Sequence, residues 1–181
     1  VRSVMKLIYS HHGPSYLRLG KAGEKIFHKC EPIINSGELV EVSEGRKVLL
    51  ITVGGVMDLG FEIKELLESH NIDAAISSFP ELSPLSYKSF CSIEERFELA
   101  VVLEEHRIGG AYSYISDCLH LHEIHSGRKN RIFLMPLRID LPPPASSGSL
   151  KFLRSKLNLS PDLCLQRILE IMNTIKQPNC S

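Results

Sequence analysis

Glu104, Glu105 and His106 follow one another at the end of an apolar run. A carboxylate beside an imidazole is a pairing that general acid–base catalysis uses. With no nucleophile or cofactor motif near them in sequence, the same residues better suit an ion pair that fixes a loop or a subunit interface. Two double glycines, Gly54-Gly55 and Gly109-Gly110, each separate a strand-like from a helix-like stretch. Glycines at a helix N-terminus let a phosphate approach free N–H groups and the positive end of the helix dipole. Neither junction has the spacing of Gly-x-Gly-x-x-Gly or Gly-x-x-x-x-Gly-Lys-Ser/Thr, and a tight turn from strand to helix explains both. His120, His122, Glu123 and His125 offer metal-ligand chemistry. Their spacing is not His-Glu-x-x-His, and they fall where the predicted helix ends, so a solvated surface is the simpler reading. Arg18 and Lys21 flank the end of a short apolar stretch. Cations there suit a sugar phosphate; ordinary surface charge is the alternative.

Elements predicted from periodicity position these groups. Val1 to Tyr9 has helical spacing, with Val1, Val4, Leu7 and Ile8 apolar, and Gly13-Pro14 ends it. Ser15 to Leu19 reads as a short strand and Gly20 to Gly37 as a connector. Glu38 to Val42 alternates like an edge strand. Val48 to Val53 is a continuous β-branched and leucine run of the kind buried on both faces of a parallel sheet. Met57 to Ser69 follows as an amphipathic helix, with Leu59, Ile63, Leu66 and Leu67 on one face; Asn71 suits a left-handed close. Ile72 to Phe79 and Phe97 to Glu104 are further strands, with a helical turn near Ile93 to Arg96. A helix over about Ala111 to Leu121, a strand over Arg131 to Leu137, a Pro- and Ser-rich loop and helices over Ser149 to Leu157 and Pro161 to Ile175 complete the chain. The alternation predicts an α/β domain with a mostly parallel sheet, in which Glu104 to His106 lie at a strand's carboxyl end, where such sheets place ligands.

The balance of 21 Lys and Arg against 21 Asp and Glu gives no basic surplus for nucleic acid or an acidic membrane. A neutral chain is also weakly protected against self-association. The five cysteines are scattered and odd in number, which suits reduced thiols in a cytoplasmic protein. No apolar run is long enough to span a bilayer, and the first residues lack the pattern of a secretory signal. The chain opens on Val1 inside a helical pattern, which reads as cut from something longer; removal of an initiating methionine is the alternative.

Five segments, in order, resemble the transketolase family. Gly13-Pro14-Ser15-Tyr16-Leu17-Arg18-Leu19-Gly20-Lys21 resembles the last strand of the family's pyrimidine-binding domain. Gly45 to Gly54 resembles the first strand of its C-terminal domain, and Ser78-Phe79-Pro80-Glu81-Leu82-Ser83-Pro84-Leu85 the stretch after the next strand. Val101-Val102-Leu103-Glu104-Glu105-His106-Arg107-Ile108-Gly109-Gly110 with Ser113 resembles a further family motif, one residue shorter before the glycines. Ser147-Gly148-Ser149-Leu150 with Leu157-Asn158-Leu159-Ser160 resembles the family's ending.

The resemblance implies a three-layer α/β/α sandwich around a five-stranded, mixed, mostly parallel sheet whose first strand is antiparallel. It implies that residues 1–20 are a remnant of the pyrimidine-binding domain, 21–37 a linker, 38–177 the C-terminal domain and 178–181 a tail. The parent enzyme would use thiamine diphosphate and Mg2+ to move two-carbon ketol units between sugar phosphates, with the C-terminal domain bracing a homodimer. The cofactor-holding domains would lie in the same or a companion chain. No residue here matches a catalytic or metal-binding position of the family, so this piece is expected to bind no cofactor and to be inactive alone. Lys21, with Arg18 beside it, falls where some transketolases carry a cation for the substrate's phosphate, and Gly54, Gly55, Glu105, His106, Gly109 and Gly110 are the candidate anion or interface site. Deoxyxylulose-phosphate synthase and the 2-oxo acid dehydrogenase beta chain are the alternative relatives. A stand-alone anion-binding module and a pure dimerisation unit are alternatives of other classes.

Overall fold

The computed structural model describes residues 1–20, 25–82, 85–87, 93–127, 129, 132–139, 141–142 and 147–176. The elements in chain order are α1 (Arg2–Ser10), β1 (Val40–Ser43), β2 (Val48–Val53), α2 (Met57–Ser69), β3 (Ala74–Ser78), β4 (Leu99–Glu104), α3 (Ala111–Ser126), β5 (Phe133–Leu137), α4 (Leu150–Lys156) and α5 (Pro161–Lys176).

Five strands form one sheet in the order β1-β3-β2-β4-β5. β1 pairs antiparallel with β3, and every other pairing is parallel. The two central strands are the uninterrupted apolar runs, and the reason is burial on both faces: β4 is buried at all six positions and β2 at all but Val53. Successive side chains alternate between two cores. Val48, Leu50, Val101 and Leu103 enter one with Leu59, Ile63 and Leu67 of α2 and Cys164, Leu165, Ile168 and Met172 of α5. Leu49, Ile51, Ala100 and Val102 enter the other with Ala111, Ile115 and Leu119 of α3. The result is the three-layer α/β/α sandwich.

Local signals set several boundaries. Asn71 is left-handed at φ 58° just beyond α2, and Ser149 caps α4 by accepting the N–H of Phe152 at 3.2 Å. Gly45 is required by close approach rather than by a turn, because a Cβ there would run into the backbone of Ala74 and Ala75.

Two sequence expectations need correction. Ser15 to Leu19 forms no strand, since no strand among the described residues lies beside it to complete a ladder. The helix read to Leu121 continues to Ser126 and closes on Gly127 at φ 66°, so the histidine-rich segment is helical. The stop signal was that left-handed glycine, not the run of imidazoles. α1 buries none of its residues against the domain.

Candidate functional site at the carboxyl ends of β2 and β4

β2 leads through α2 to β3 on one side of the sheet's midpoint, and β4 leads through α3 to β5 on the other. Their adjacent carboxyl ends therefore form the crevice at which open α/β sheets bind ligands. Both double glycines and the Glu104-Glu105-His106 run lie at this crevice.

Glu104 ends β4 with 1% of its surface exposed. Its Oε2 accepts the N–H of Ala111 at 2.7 Å and its Oε1 the N–H of Tyr112 at 3.0 Å. The first-turn amides of α3, which a phosphate would need, are thus held by the chain's own carboxylate, which also answers the positive end of the helix. Gly110 has no Cβ because one would overlap that carboxylate and meet His106 Cβ at 2.8 Å. Gly109 is left-handed at φ 93°, and its N–H donates to Ser113 Oγ at 3.0 Å.

Arg154 of α4 occupies the other half of the crevice. Its residue surface is 6% exposed. Nε donates to Glu105 Oε1 at 2.7 Å, Nη1 to both carboxylate oxygens of Asp58 at 2.9 Å, and Nη2 to the carbonyl of Gly55 at 2.7 Å. Burial is the largest single influence on this guanidinium and disfavours its charge. Glu105 and Asp58 together outweigh it and hold Arg154 more firmly protonated than usual. The fork shape of the group explains the choice of arginine, since one planar cation reaches three acceptors in different directions.

The candidate residues therefore divide. Gly54 (φ 75°), Gly55, Glu105, Gly109 and Gly110 come together at the crevice, while His106 is exposed. Arg18 is exposed in the N-terminal segment. Lys21 lies outside the described residues. Arg154 and Asp58 were the partners that sequence reasoning missed. Asp58 lies in the first turn of α2, and Arg154 is 96 residues away from it, with no local spacing to connect them.

Among the described residues no group of three His, Cys, Asp or Glu could hold a metal ion. His120 pairs with Glu123 at 3.9 Å, and His122 stacks on Tyr87. The crevice also fails to fit thiamine diphosphate, because the α3 amides and most of the Arg154 donors are engaged within the chain. Its chemistry is that of a lock between two loops and a helix.

Residues 37–151 match the family described as transketolase, C-terminal domain. The chain belongs to that family. Among solved structures, a split-gene transketolase described as an inactive beta4 tetramer superimposes with a TM-score of 0.81 at 20% identity, over 97% of this chain and 55% of that one. A transketolase variant from Pichia stipitis aligns with a TM-score of 0.57 at 13% identity, over 78% of this chain and 19% of that one. A Pichia stipitis transketolase in complex with sedoheptulose-7-phosphate gives 0.54 at 12% identity, with the same coverage. These likenesses support the fold, and this chain spans only 55% of the first matched chain and 19% of the other two. No curated protein matches the sequence. No helix among the described residues is long and apolar enough to cross a membrane.

Proposed function

We propose that this chain is the assembly domain of a transketolase-like enzyme that transfers two-carbon ketol units between sugar phosphates with thiamine diphosphate and Mg2+. The observation that carries the reading is the closed crevice. In a domain of this family, the place where an α/β sheet would take a ligand is filled by Arg154, Asp58, Glu105 and Glu104. A unit built this way braces an active site held elsewhere. Cofactor, metal and catalytic residues then belong to diphosphate- and pyrimidine-binding domains in the same or a companion chain, with residues 1–20 as the edge of the latter, 21–37 as a linker, 38–177 as the domain and 178–181 as a tail. The assembled enzyme is a cytoplasmic homodimer, and Arg18 and Lys21 are assigned to the substrate's phosphate.

The test has two arms. In a thermal melt, thiamine diphosphate with Mg2+ leaves the midpoint of the isolated chain unchanged; a clear rise would place a cofactor site in it. Purified with its cofactor-binding domains, the assembly consumes a ketose phosphate when an aldose phosphate acceptor is present, and the isolated chain does not. Turnover by the isolated chain, or none by the assembly, overturns the proposal.

A further inference from the structure

α4 covers the crevice without an apolar anchor, for the residue it buries is a cation, Arg154. Leu153 and Leu157 are half-buried, and Leu150 and Phe152 are exposed. No residue of α4 belongs to either apolar core; α2, α3 and α5 fill those with the strands. The Phe152 ring lies against Gly148 and 5.7 Å from the Lys156 ammonium, so the helix packs on its own flanks. Seven residues are too few for a helix to persist in water unaided. α4 therefore owes its place to the bonds of Arg154 with Asp58, Glu105 and Gly55. Its other ion pair, Lys151 with Glu62 at 3.9 Å, is exposed and contributes little.

Beyond α4 the chain turns at Asn158, left-handed at φ 61°. The next residue, Leu159, is fully buried and shares a core with α5. We propose that α4 is a strap that swings off the crevice about Asn158 and back while the sheet stays folded, with Arg154 as its catch. Opening takes nothing from the two cores. It parts one guanidinium from its acceptors, which is the kind of local event that costs less than global unfolding.

What opening uncovers defines the ligand. Both oxygens of Asp58, one of Glu105 and the carbonyl of Gly55 are set around a planar fork of N–H donors. A compact ammonium ion lacks the fixed fork that matches them. The class of ligand that competes with closure is thus a guanidinium compound, such as an arginine side chain of another polypeptide. Binding of one shifts the strap to its open state. The inference goes beyond the assembly reading and invokes no cofactor contact.

Native-state hydrogen exchange of the full chain tests it. The N–H groups of Leu153 and Leu157 donate to the carbonyls of Ser149 and Leu153, and they exchange through an opening that protects them only about 100-fold. Dilute urea leaves that exchange unchanged, because little surface is exposed, whereas the amides of Val101 and Val102 in β4 exchange far more slowly and accelerate with urea. Arg154→Ala abolishes the protection of α4, yet the variant still unfolds in one cooperative urea transition. Glu105→Gln, a milder change, speeds α4 exchange about 10-fold and replaces the first variant if that one does not fold. Methylguanidinium at ~10 mM raises the melting temperature of Arg154→Ala, and methylammonium does not. Leu153 and Leu157 amides that exchange as slowly as those of β4, with the same urea dependence, overturn the strap. So does protection of α4 that survives in the variants. Equal effects of the two cations, or none from either, overturn the guanidinium site. None of these results bears on the assembly reading, which its own cofactor and turnover tests decide.

Discussion

Both carboxylate oxygens of Asp58 lie 2.9 Å from a single nitrogen of Arg154, joining the first turn of α2 to a helix 96 residues further along the chain. Through Nε the same guanidinium holds Glu105 on the loop after β4. One side chain thus ties together the two loops that flank the sheet's midpoint.

Arg154→Ala is expected to lower unfolding free energy by about 2–3 kcal/mol in urea titration. Removing one partner of a buried pair normally costs about 3–5 kcal/mol. Asp58 and Glu105 keep 43% and 35% of their side-chain surface and regain water, which moderates the loss. Arg154→Lys keeps the charge but not the fork, and should recover less than half of it.

Glu104 and Gly110 should behave as a coupled pair. Glu104→Gln leaves an amide group facing an N–H donor at the start of α3, at a cost of about 1–3 kcal/mol. Hydrogen exchange at Ala111 and Tyr112 should speed up accordingly. Gly110→Ala destabilises the native chain because its Cβ needs the carboxylate's space. In a Glu104→Ala background the same change should cost less, and the non-additivity is the signature of contact.

Gly45 and Gly54 should respond differently to alanine. At Gly45 the new methyl meets fixed backbone, so Gly45→Ala should cost about 3 kcal/mol or more. At Gly54 nothing lies within 4 Å, and the left-handed backbone alone is strained, for about 1 kcal/mol. Paired thermal melts of the two variants check the ranking.

Cys164 is fully buried, and burial pushes its thiol up to about 11, with Arg167 pulling the other way less strongly. The unfolded chain releases this proton earlier, so the stability that Cys164 contributes is present below the ordinary thiol range and is lost as pH rises towards about 11. A thiol reagent at mildly alkaline pH should label exposed Cys30 quickly and Cys164 only on unfolding. A Cys164→Ala variant should show a flatter fall of stability over the same alkaline range.

Elements with a strong local rule were legible in the sequence. β2 and α2 declare themselves by a continuous apolar run and a 3.6-residue stripe, and the structure places both as read, over Val48–Val53 and Met57–Ser69. The antiparallel β1 came from the family resemblance, since no periodicity distinguishes strand direction. Ser15 to Leu19 shows the limit of pattern alone, because an apolar stretch becomes a strand only beside another. At the crevice, glycines and carboxylates were visible as chemistry, but their occupant was not. Arg154 looks in sequence like any cation on a short helix, and only tertiary folding brings it to Asp58.

The family match stops at residue 151, whereas Arg154 and all of α5 come later. α5 covers one side of α2, and its Cys164, Leu165, Ile168 and Met172 share a core with β2 and β4. A gene trimmed to the boundary that similarity draws would therefore encode a polypeptide with one flank stripped bare, prone to collect in inclusion bodies. A shortened gene should run through Lys176.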